Sequence, residues 1–221
     1  MFTLVALVLL GAMPPIFQTP AGRPAEKIQY YNLDGSKAEA PEDLTIPEAV
    51  ARYGKAELAL FSESVSLTLP DLVSQCEVAI KGLVLSKRSY LSANHRAIFT
   101  DFEIRILDAY KSSRRVRQID KILVTVLGGK LDLPGGEATF RTDSRESMMP
   151  GQTYILFLAP TARKEKESAY TLVGGSQGAF RLVGERVVPM AEGSRQSFKE
   201  FLGADESDFT TDILRAARGR K

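Results

Sequence analysis

The sequence holds one cysteine, Cys76, and one histidine, His95, in 221 residues. A lone cysteine closes no intramolecular disulfide, and none follows the apolar N-terminal run to carry a lipid anchor. One cysteine and one histidine are too few for an ordinary zinc site. No apolar stretch reaches the roughly 18 residues that a bilayer-spanning helix needs. The formal charge is only +2, too small to imply a polyanionic partner by itself. Nucleotide and calcium fingerprints are missing as well. Gly128-Gly129-Lys130 lacks the P-loop spacing and its following Ser/Thr, and Asn32-Leu33-Asp34-Gly35 lacks the rest of an EF-hand loop. No cofactor and no metal are therefore expected.

Charge is also absent from the first 21 residues. Residues 2–13 form an apolar run of signal-peptide length, which Pro14 and Pro15 stop. Thr19-Pro20-Ala21 offers small residues where a signal peptidase inspects the chain. A signal peptide over 1–21, cleaved before Gly22, is expected, and with it a periplasmic or secreted product without a membrane anchor. No Lys or Arg precedes the run, and a buried N-terminal strand is the other reading.

The remainder has ordinary globular composition, 44% hydrophobic and 25% charged, enough to bury a core. Charge is uneven: residues 26–71 carry nine acids against four bases. Residues 22–68 read as an irregular acidic lead-in with one short helix. That helix has Thr45 as cap, Pro47 in its first turn and Gly54 past its end. Another helix fits residues 69–75.

From Cys76 the hydrophobic period changes to two. Val78, Ile80, Gly82 and Val84 alternate with other residues, as do Phe102, Ile104 and Ile106, then Ile122, Val124 and Val126, then Ala138 and Phe140. Residues 154–158 are continuously apolar, which predicts a strand covered on both faces. Residues 170–173, 179–183 and 187–190 add further short strands. Glycine-rich turns and no intervening helical periods predict a mainly β fold, a small antiparallel barrel or a β-sandwich, over 69–190. In the tail, 191–221, the spacing returns to helical. Ser194 and Ser207 are the expected caps of two helices.

Gly174-Gly175-Ser176-Gln177-Gly178 formally satisfies the G-x-S-x-G elbow of α/β-hydrolases. The residues after it alternate like a strand, and His95 lies upstream of Ser176, whereas that fold places its histidine downstream. A turn between strands is expected. His95 sits in a polar stretch and reads as a loop residue; pairing with Cys76 or Asp101 is the catalytic alternative. Cys76, beside Val78 and Ile80, reads as a buried, inert thiol. The densest charge is Lys111, Arg114, Arg115 and Arg117, between two strands. It is the candidate partner-binding loop, with a solvated hairpin tip as the plain reading and phosphate contact as the alternative.

The stretches Thr100-Asp101-Phe102, Gly128-Gly129, residues 150–158 and residues 172–180 resemble those of a group of uncharacterised exported bacterial proteins. Their barrel is similar to the oligonucleotide/oligosaccharide-binding (OB) fold, with a distant likeness to netrin and tissue-inhibitor-of-metalloproteinase modules. The resemblance covers about 69–190 and implies an OB-like barrel, not an activity. Those inhibitors grip a protease zinc through an N-terminal cysteine, whereas Cys76 lies far inside this chain. The expected function is a non-enzymatic extracytoplasmic module that binds an unknown protein partner. The alternatives are an accessory or inhibitory partner of an exported protease, and nucleic-acid binding through the basic loop.

Overall fold

The computed structural model describes residues 26–31, 37–38, 44–60, 66–112, 116–141, 147–161, 169–190 and 198–219. The expected signal peptide, 1–21, lies outside the described residues. The chain opens with β1 (Glu26–Tyr31) and β2 (Lys37–Ala38), then α1 (Ile46–Tyr53) and β3 (Lys55–Leu60). Next come α2 (Leu69–Gln75) and two long strands, β4 (Val78–Leu91) and β5 (Ile98–Lys111). β6 (Lys121–Leu127), β7 (Gly129–Leu133), β8 (Gly136–Arg141) and β9 (Thr153–Pro160) follow. β10 (Ala169–Leu172), β11 (Ala179–Val183), β12 (Arg186–Pro189) and α3 (Glu206–Arg218) complete the order.

Local chemistry sets the helix ends. At α1, Thr45 donates from its backbone N–H (2.8 Å) and its hydroxyl (2.7 Å) to the Glu48 carboxylate. Gly54, in the left-handed region at φ 77°, ends the helix. At α2, the Asp71 carboxylate accepts from the Thr68 N–H (2.9 Å) and the Thr68 hydroxyl oxygen accepts from the Asp71 N–H (3.3 Å). These reciprocal bonds satisfy N–H groups that a helix start leaves orphaned.

The fold is mainly β. β4, β5 and β6 form an antiparallel meander, β9 pairs with β4, and β10 pairs with both β9 and β6. The order β4–β5–β6–β10–β9 thus closes on itself as a small five-stranded barrel. Four of its five seams are antiparallel, and the closing one, Ala169–Leu123 and Tyr170–Val124, is parallel. β4 carries three register shifts, the kind of irregularity that bends a strand around a tight wall. Gly82 sits at one of them, where a Cβ would strike Ile104 on the neighbouring strand β5.

Alternation divides the core in two. Val78, Ile80, Val84, Phe102, Ile104, Ile122, Val124, Tyr154, Leu156 and Leu158 fill the barrel. Ile155 and Phe157, the outward residues of β9, are buried beneath α2 and α3 with Phe180, Phe198, Phe209 and Ile213. The continuous apolar run therefore has the two covered faces that its sequence predicts. β10 and β11 run along the same edge of β9, with residues 173–178 looped out between them.

The second sheet, β2–β1–β3–β8–β7, contains one further parallel pair, β3 with β8. It packs Ala56, Leu58, Ala138 and Phe140 against Ile46, Ala49 and Val50 of α1. The stretch 22–68, read as an irregular lead-in with one helix, carries three strands besides α1. Its residues Ile46, Ala49, Val50, Tyr53, Ala56 and Leu58 belong to a third buried cluster. The tail ends in a helix, α3, as expected. Ser194 lies outside the described residues; among those described, a 3-10 turn, Lys199–Phe201, precedes α3. Asp205, not Ser207, occupies the cap position of α3.

Candidate functional site

The basic segment is anchored from both sides. Lys111 ends β5, and its ammonium donates to the carbonyls of Val73 (2.7 Å) and Cys76 (2.5 Å). It satisfies carbonyls that the end of α2 leaves without helical partners, where a cation also suits the helix dipole. Val116 is 2% exposed and packs into the barrel core. Arg117 belongs to the 3-10 turn Val116–Gln118, and its side chain lies outside the described residues, as do Arg114 and Arg115. Lys111 thus ties the end of β5 to the end of α2.

The residues considered for catalysis are dispersed. Cys76 is buried, its thiol donating to the Val73 carbonyl (3.4 Å). Burial pushes the thiol pKa up, partly opposed by the Lys111 charge, so the nucleophilic thiolate is disfavoured. His95 sits in the left-handed region (φ 55°) of the β4–β5 loop. Its carbonyl accepts from the Ile46 N–H at the start of α1 (2.9 Å), whereas Cys76 packs in the separate cluster under α2 and α3. Ser176 lies in the 3-10 turn Gly175–Gly178, which leads into strand β11, not into a helix. The buried Gln177 side chain holds that turn by accepting from the Leu67 N–H (2.9 Å). Among the described residues no three His, Cys, Asp or Glu side chains are grouped to hold a metal ion. No described helix is long and apolar enough to cross a membrane.

What the barrel does present is its outer wall over β4, β5 and β6. Phe99, Asp101, Glu103 and Arg105 alternate outward from β5, while Thr100, Phe102 and Ile104 are buried. Asp101 lies opposite Arg88 on β4 and Thr125 on β6. Its carboxylate accepts from the Thr125 hydroxyl (2.6 Å) and the Tyr90 hydroxyl (3.0 Å). The Tyr90 ring stacks on Phe99 with centroids 6.2 Å apart. Glu103 accepts from the Lys121 ammonium (2.9 Å). Arg105 sits opposite Lys121, and Arg88 and Arg105 are exposed. Charges of both signs and two aromatic rings thus share one fixed, hydrogen-bonded surface.

The sequence displays the alternation of Asp101, Glu103 and Arg105 with core residues, but Tyr90 and Thr125 join them only through strand register. In comparison with known proteins, the sequence matches no family model and no curated protein.

Proposed function

We propose that this chain is a non-enzymatic interaction module that works in the periplasm or after secretion and binds a protein partner through the β4–β5–β6 wall. The observation that carries the reading is the contrast between barrel flanks. The β9 flank lies under α2 and α3, while the β5 wall keeps Arg105 exposed and Glu103 with 42% of its side chain exposed. A rigid polar wall with a stacked aromatic pair offers the aromatic, arginine-bearing chemistry that protein interfaces favour. Export is supported by the uncharged first 21 residues and their apolar run, and by the resemblance to exported OB-like barrels.

Site-specific photo-crosslinking in the native cell tests the binding half. A photoreactive residue replacing Arg105 is expected to yield a discrete adduct with one protein. The same residue replacing Thr139, on the outward face of the second sheet, is expected to yield none. Equal adducts from both positions, or none from Arg105, contradict the wall as the interface. N-terminal sequencing of the mature protein tests export: a chain starting at Gly22 in the envelope or medium supports it, and one that keeps Met1 in the cytoplasm overturns it.

A further inference from the structure

The second sheet ends in an open strand. β7 is outermost in the order β2–β1–β3–β8–β7, and among the described residues no strand pairs with its other side. Which backbone groups face that side follows from the ladders around β8. The Glu137 N–H donates to the Gly54 carbonyl (3.2 Å), just before β3. Glu137 and Thr139 thus direct their backbone groups to β3. Gly136, Ala138 and Phe140 alternate with them and direct theirs to Leu133, Leu131 and Gly129 of β7. Lys130 and Asp132 therefore turn their N–H and C=O groups away from β8, toward the open edge.

The side chains along that edge alternate as well. Leu131 and Leu133 are half-buried against the α1 cluster, while Lys130 and Asp132 are exposed on the opposite face. Lys130 bridges diagonally to Glu137, with 62% of its side chain still exposed. Asp132 stands directly opposite Glu137, and like charges in that relation are unfavourable. The strand thus offers backbone bonds at two positions, with a cation at one and an anion at the other. Run backwards, it is complementary to itself.

We propose that β7 pairs antiparallel with β7 of a second copy, across a two-fold axis through Leu131. In that register Lys130 of each copy meets Asp132 of the other as a hydrogen-bonded pair that exchanges both N–H···O bonds. Leu131 meets Leu131 in between, at the pair type where side chains approach more closely. The charge pattern selects this register. An axis through Lys130 or through Asp132 would set like charges opposite each other. A five-residue edge covers less than the roughly 1,200 Å² of stable interfaces, so a Kd of about 0.1 mM is expected. At native cellular levels Thr139, on β8, is expected to stay uncovered, and the contact acts where copies are concentrated.

The test is sedimentation velocity of the full chain between about 10 µM and 1 mM, which brackets that affinity. The chain is expected to move from monomer toward dimer as concentration rises. Amide hydrogen exchange at Lys130 and Asp132 is expected to slow in step, while Leu131 and Leu133, already bonded to β8, change little. Asp132→Lys is expected to abolish association. It also removes the opposition to Glu137, so a lost dimer is not a lost fold, and circular dichroism checks this. Lys130→Asp is expected to abolish association too. Mixing the two variants restores opposite charges at both facing pairs and is expected to recover a heterodimer. A monomer throughout, a dimer that Asp132→Lys retains at parent strength, no recovery in a mixture of folded variants, or a dimer without slowed exchange at Lys130 and Asp132 would each overturn the proposal.

Discussion

The two flanks of the barrel are built on the same two-residue period but to opposite ends. On β9 the outward residues Ile155 and Phe157 are 0% exposed, because α2 and α3 lie over them. Phe180 is central to that cover, 5.8 Å from Phe157, 5.1 Å from Phe198 and 4.8 Å from Phe209 between ring centroids. On β5 the outward residues are an aromatic ring, two carboxylates and an arginine, and the bulge residue Leu107 is 46% exposed. Residue type at the outward positions therefore tracks what lies above each strand. The β9 flank spends its outward face on stability, and the β5 wall leaves its face available for recognition.

The largest expected effect tests the covered side. Phe180→Ala removes the hub of the aromatic cluster and is expected to cost about 3–5 kcal/mol in urea unfolding. Phe99→Ala, on the wall, is expected to cost far less. Equal losses break the contrast. Gly136→Ala comes next: at φ +153° an added Cβ would run into the Gly54 carbonyl oxygen, and a loss of about 1–3 kcal/mol is expected. A smaller loss follows for Asp101→Ala, which deletes the acceptor of the Tyr90 and Thr125 hydroxyls. Roughly 1–2 kcal/mol is expected, together with lower crosslinking yield from the wall. Arg105→Ala is expected to stay within about 0.5 kcal/mol of the parent, so any effect on partner capture reports recognition and not folding.

The finest effect is one of pH. Bonds from the Thr45 side chain and backbone N–H hold the Glu48 carboxyl below its ordinary pKa. A depressed folded pKa gives stability that is present above the unfolded value and fades as pH falls through the folded one. Glu48→Gln is expected to destabilise at neutral pH and to narrow its gap to the parent on acidification, read from parallel urea titrations. A gap that widens in acid contradicts the capping role.

Much of this was readable where the signal is local. Thr45, Pro47 and Gly54 bracket α1, and the alternating runs of β4, β5 and β6 show which side chains turn inward. β3 was missed for a physical reason: in Lys55–Leu60 the period of two is present, but Lys, Ala and Glu are poor strand formers in isolation. That strand is held by β1 and by β8 about 80 residues along the chain. The parallel seam between β6 and β10 is likewise a matter of pairing, to which hydrophobic alternation is blind. Lys111 looked like part of a solvated basic run because nothing in its neighbours announces that the end of α2 stands against it.

Hydroxyl-radical footprinting of the full chain reads the two flanks in one experiment. The account predicts protection at Phe157, Phe180 and Phe209 and strong labelling at Leu107, with intermediate labelling at Tyr90 and Phe99. Protection of the wall residues to the same degree as the three phenylalanines, in the isolated protein, would mean that something already covers β5 and would contradict the account.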